Sequence, residues 1–182
     1  MFAPGTWDDC SSDDSQITST PTFGIDVSTD RMSSTISACG TREDGVLHLE
    51  TTYNRPGTDW IVPEMTRISR EHGGSVVIDP ASPAGSLIDD LRSAGLRVHE
   101  VTARTYAQAC GWLYDAVKEK QVRHLPEAEL NAAQAGASTR DLAGGFAWDR
   151  RNPTADITPL VAVTLACWGH RTYGGDLAEA VW

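Results

Sequence analysis

The 182-residue sequence has no apolar run near the roughly 20 residues needed to cross a bilayer, so no membrane partner is expected. Its first residues, MFAPGTWDDCSSDD, carry neither a basic nor an apolar stretch, and no signal peptide is expected there. There is no G-x-x-x-x-G-K-[ST] loop and no G-x-G-x-x-G turn, which argues against ATP hydrolysis or dinucleotide binding by this chain. Cys10, Cys39, Cys110 and Cys167 are widely spaced, with no C-x-x-C pair, and the histidines form no H-x-x-x-H pair. Zinc sites cluster their ligands, so no zinc centre is expected and the thiols read as reduced. Basic residues are scarce, with 15 Lys+Arg against 25 Asp+Glu and a net charge of −10. That balance weighs against a nucleic-acid partner, which usually demands a basic footprint. Part of the excess is local, because residues 1–22 hold Asp8, Asp9, Asp13 and Asp14 and no Lys or Arg. Carboxylates that hold a divalent cation would also be offset by it.

What is present describes an ordinary folded domain. Hydrophobic residues make up 40% and charged residues 22%, which excludes disorder and fibrous repeats. A chain of this length can bury about 70% of its unfolded surface without covalent staples. Residues 1–22, rich in Ser, Thr, Asp and Pro, read as an acidic, flexible tail or interdomain linker. Residues 23–182 read as the folded domain. Phe23–Ser28, Ser33–Cys39 and Val46–Thr52 are three short strand patterns with short links, which predicts an antiparallel meander. The period then turns helical over Thr58–His72, with Thr58 as a cap and Gly73-Gly74 as a stop. Ser75–Asp79 and Arg97–Val101 read as further strands, and Ser86–Ala94, Tyr106–Lys120 and Pro126–Ala135 as helices. Arg140–Arg151 reads as a hairpin around Gly144-Gly145, and Ile157–Trp168 as a strongly apolar helix. The order predicts an α/β fold: a mixed five-stranded sheet, meander first and parallel strands after, flanked by helices. Trp60, Trp112 and Trp168 fall on helices and read as core. Trp148 reads as hairpin packing, with base stacking as the alternative.

Two acids stand out from the solvated majority. Asp26 interrupts FGIDVS, and Asp79 ends SVVID before Pro80. A carboxylate on a buried strand costs several kcal/mol unless it is paired or binds metal, although a strand-end acid can also cap the next turn. If the two strands pair in parallel, the acids fall side by side, about 4.8 Å apart. Carboxylates so close repel unless a proton or cation lies between them. Oxygen-only ligands favour magnesium or manganese. Asp156, just ahead of the apolar helix, is the best third ligand, with an N-cap as its alternative role. Asp141 and Asp149 are weaker rivals, because both lie in the hairpin.

FGIDVS, SVVIDPAS and the run from AWDRR to ADITPLVAVTLACWG together resemble the nuclease domain of a tailed-phage terminase large subunit, a member of the RNase H-like superfamily. The resemblance spans Phe23 to Gly169. It implies that Asp26, Asp79 and Asp156 are the catalytic acids and bind two divalent cations, Mg or Mn, with Asp26 bridging both. It implies an endonuclease that hydrolyses phosphodiesters in double-stranded DNA during genome packaging. It also implies partners that include the ATPase domain of the same terminase, the portal and the small terminase subunit, in a host cytoplasm. Terminase large subunits carry an ATPase that this sequence lacks, so the chain is expected to be an excised piece or the product of a split gene, and monomeric. Arg150 and Arg151, near Asp156, are the first candidates for DNA contacts, followed by Arg104, Arg140 and Arg123. Each also reads as an ordinary surface arginine. Two other functions stay open on the residues alone: an RNase H-like resolvase or transposase-type nuclease, and a noncatalytic docking module.

Overall fold

The computed structural model describes residues 2–151 and 153–174; the end of the expected domain at Trp182 lies outside the described residues. Strands β1 (Thr22–Val27), β2 (Ser33–Thr41) and β3 (Leu47–Pro56) form the predicted meander. Helix α1 (Ile61–His72) leads into β4 (Ser75–Ile78), which pairs in parallel with β1. A 3-10 turn (Pro83–Leu87) and α2 (Ile88–Ser93) return the chain to β5 (Val98–Glu100), parallel to β4. Helix α3 (Ala103–Lys118), β6 (Val122–His124) and α4 (Ala128–Gly136) follow. The hairpin β7 (Thr139–Leu142) and β8 (Gly145–Trp148) then precedes α5 (Thr158–Tyr173).

Among the described residues, the main sheet has six strands in the order β5-β4-β1-β2-β3-β6, one more than the expected five. The extra strand, β6, is three residues long and pairs in parallel with the start of β3. So short a run carries no period that a sequence can show. Helix boundaries also move. Thr58 does not cap α1, whose N-cap is Trp60 without a side-chain bond. Helix α3 starts three residues before the predicted Tyr106, because Thr102 and Thr105 form a reciprocal capping box that satisfies the free N–H groups of the first turn.

Period-two alternation sends β1 side chains to opposite faces. Phe23, Ile25 and Val27 join Val76, Ile78 and the inward residues of α1 and α2 in one core. Gly24 and Asp26 face the other way, toward the core built from α3, α4 and α5. Helix α5 lies across β1, β2 and β3 and is covered in turn by α3 and α4. It is therefore buried from Thr158 to Cys167, as expected of a helix that is apolar all round. Gly24 makes this crossing feasible, since a Cβ there would strike the backbone of Ala162 and Ala166.

The segment read as a flexible acidic tail is folded onto the domain. Trp7 and Cys10 are buried. Trp7 stacks on His124 at 4.2 Å and donates its indole N–H to Asn131 at 2.8 Å. Phe2 stacks on Trp7 and Tyr114. The backbone of Ser12 donates to the His124 carbonyl, so this segment covers the edge of β6. Its polar composition hid two aromatic anchors. Trp60, Trp112 and Trp168, expected in the core, are only partly buried, whereas Trp148, read as hairpin packing, is fully buried and donates to Thr164.

Candidate active site

The parallel pairing of β1 with β4 aligns Thr22 with Ser75, Phe23 with Val76 and Gly24 with Val77. The same offset carries Asp26 to Asp79 at the carboxyl ends of both strands. Asp26 is fully buried and Asp79 is 6% exposed. Among the described residues, neither carboxylate oxygen of Asp26 receives an aligned hydrogen bond. Its neighbour is the guanidinium of Arg150, whose Nη2 lies 3.2 Å from Asp26 Oδ1 and whose Nη1 lies 3.0 Å from Asp79 Oδ2. Burial pushes the Asp26 carboxyl up to about 6, against the opposing pull of Arg150. The two acids in turn raise the Arg150 guanidinium above its ordinary range despite its burial. The ring of buried Tyr106 lies beneath that guanidinium, 4.7 Å away. Asp79 also accepts the Ala81 N–H at 3.0 Å through its other oxygen. It therefore caps the following turn as well as facing Arg150.

Asp156 lines the same cleft as Asp26, an open space of about 440 Å³ bordered by Ser28, Arg150, Arg151 and Thr158. Its two oxygens are engaged by the protein. Thr158 donates its backbone N–H at 2.9 Å and its hydroxyl at 2.8 Å to Oδ1. Ser33 and Asn54 donate to Oδ2 at 2.5 and 3.0 Å. Partial burial would raise this carboxyl, but those hydrogen bonds together hold it below the usual range. Asp156 thus stands one residue before Ile157, the N-cap of α5, and takes the first N–H of that helix while lining the cleft. Ser33 and Asn54 were missed by sequence reasoning. A Ser at a strand end and an Asn on an exposed strand tail carry no distinguishing signal.

The arginines expected at DNA separate into different environments. Arg150 is an interior counter-ion with a side chain 12% exposed, not a surface contact. Arg151 is 69% exposed at the cleft and pairs with Asp149. Arg104 is exposed in the first turn of α3, Arg140 is half-buried on β7, and neither lines the cleft. Arg123 sits on β6, at the sheet edge beyond β2 and β3. Asp141 and Asp149 lie in or beside the hairpin and do not line the cleft. Among the described residues, no three His, Cys, Asp or Glu side chains stand close enough together to hold a metal ion. The structure joins Asp26 and Asp79 through Arg150 and leaves Asp156 tied to its own hydrogen bonds. Among the described residues, no helix is long and apolar enough to cross a membrane.

This architecture superimposes on the large terminase of bacteriophage HK97 with a TM-score of 0.74, over 92% of this chain and 43% of that one, at 18% identity. This is the fold of a large-terminase nuclease. The large-terminase nuclease of thermophilic phage G20c, solved with bound magnesium, matches at a TM-score of 0.63 and 14% identity, over 85% of this chain and 83% of that one. A lysine-to-alanine variant of the large-terminase nuclease domain of bacterial virus Sf6, solved with manganese, matches at 0.56 and 12%, over 91% and 98%. The chain therefore spans less than half of the HK97 large terminase and most of the isolated terminase nucleases. No family model and no curated protein matches the sequence.

Proposed function

We propose that this chain is the nuclease domain of a phage terminase large subunit, cutting double-stranded DNA by metal-dependent phosphodiester hydrolysis during genome packaging. One observation carries the reading. Asp26 is a fully buried carboxylate, ion-paired to Arg150 at 3.2 Å but with no aligned hydrogen bond among the described residues, and it lines an open cleft of a terminase-nuclease fold. A buried acid pair sharing one arginine keeps an excess negative charge, a cost that proteins carry where a cationic ligand can offset it. The donor set is oxygen-only, which suits a hard divalent cation. Asp26 and Asp79 would hold it; Asp156 lines the same cleft without completing a three-acid cluster in this structure, and would be the third acid once drawn to the metal. Bound there, two Mg or Mn ions would activate a water and stabilise the leaving oxygen.

The rest is supplied by the chain itself. Asn54 and Ser33 hold Asp156 by its outer oxygen, so that the third acid faces the cleft in one orientation. Thr158 fixes the other oxygen and anchors it to α5. Arg151 places a positive charge at the cleft, where a backbone phosphate would enter. With little other basic surface, DNA binding by this chain alone would be weak and strongly salt-dependent. That suits a domain brought to its substrate by an ATPase, portal and small subunit.

Supercoiled plasmid incubated with manganese, magnesium or EDTA tests this reading. The expected outcome is nicking and linearisation with manganese or magnesium, abolished by EDTA and by Asp26→Ala or Asp79→Asn. Cleavage that survives both substitutions in pure protein would refute the assignment. A strong preference for four-way junctions over linear duplex would move it to a resolvase.

A further inference from the structure

We propose that Arg150 is a resident counter-ion that a divalent cation must displace to reach Asp26 and Asp79. This rests on the metal-dependent reading above and adds a regulated step to it. The guanidinium touches both acids, at 3.2 and 3.0 Å. A Mg-type cation needs its oxygens at about 2.1 Å, so it cannot bridge these two oxygens from the place that the guanidinium fills. The pairing is also incomplete. Nε and Nη2 of Arg150 lack aligned hydrogen bonds, as do both oxygens of Asp26. Charge, burial and the Tyr106 ring hold the group in place, rather than a saturated fork. An oxygen-seeking cation would therefore satisfy Asp26 better than Arg150 does.

Arg150 lies on the loop between β8 and α5, outside either element, and already lines the cleft beside Arg151. A rotated side chain would leave the acids and enter that cleft. Two carboxylates with one guanidinium carry a net charge of −1. The protein thus keeps its acid pair compact without a cation, at the cost of weaker cation binding. The intrinsic affinity of the site is reduced by the fraction of time that Arg150 has left it.

Calorimetric titration of the full chain with Mn²⁺ alone tests the proposal, with no DNA and no cleavage readout. Arg150→Gln removes a unit charge next to the site and should tighten Mn²⁺ binding by roughly tenfold or more. The same variant should melt lower than wild type in EDTA and gain more from added Mn²⁺. Unchanged or weaker Mn²⁺ binding by a folded Arg150→Gln protein overturns the proposal. Asp26→Asn is run in parallel. If it binds Mn²⁺ as wild type does, the metal reading itself fails, which is a different outcome. Should Arg150→Gln not fold in EDTA, the wild-type chain answers instead. The Nε–H resonance of Arg150, followed by NMR during Mg²⁺ addition, should move and exchange faster with water. A resonance unmoved at full Mg²⁺ occupancy overturns the proposal.

Discussion

Asp26 sets burial against charge in one side chain. Its folded pKa, about 6, lies above the roughly 3.9 of an unfolded aspartate. Between those values the folded chain holds a proton that the unfolded chain releases, so stability falls as pH rises from about 4 through 6. Asp26→Asn removes the ionisable group. In EDTA at pH 7.5 the variant should melt higher than wild type by about 3 °C or more, while plasmid cleavage is lost. Calorimetry checks the first and a gel the second. Glu127 gives a second case away from the cleft. Burial pushes its carboxyl up to about 7, against hydrogen bonds from Thr51. The sign is the same, with stability lost as pH rises from about 4.5 through 7. Glu127→Gln should flatten that part of the curve of urea midpoint against pH, leaving values near pH 4 unchanged. Asp26 and Asp79 were legible because an acid inside an apolar strand pattern breaks the pattern. Arg150 was legible only as a basic residue near Asp156. Its partners come from strands more than 70 residues earlier, so no local signal could reveal its role.

Helix α5 and strand β1 carry the site at the scale of elements. The helix passes so close to β1 that only glycine fits at position 24. Overpacking a rigid contact typically costs 1–3 kcal/mol, and here the obstacle is backbone. Gly24→Ala should lose about 3 kcal/mol in urea denaturation, and cleavage should fall with it, because α5 carries Asp156 at its start. A Gly24→Ala protein as stable as wild type would show that the helix can retreat. The apolar character of Ile157–Trp168 was enough to predict a buried helix. Its crossing over β1 was not, because a glycine inside a strand has several structural uses.

For the whole molecule, the N-terminal segment changes the account most. A stretch of Ser, Thr and Asp reads as solvent-exposed, and many of its side chains are, yet residues 2–12 are pinned to the β6 edge through Phe2, Trp7, Cys10 and Ser12. Trp7→Ala removes a buried aromatic, a stacking partner for His124 and an indole hydrogen bond. The expected loss is about 3–5 kcal/mol, or roughly 6 °C or more in melting temperature. A change under about 1 °C would restore the picture of a loose tail.

The alternation of apolar and polar residues, the turn glycines and the two acids in apolar strands were enough by themselves to determine the α/β class, the meander and the acids at its heart. Those are local properties, set by side-chain period and by the cost of burying charge. The sixth strand, the docked N-terminus and the pairing of Arg150 with Asp26 and Asp79 were decided only by tertiary structure. Each depends on which distant segments share a surface, and no window of sequence contains both partners of such a contact.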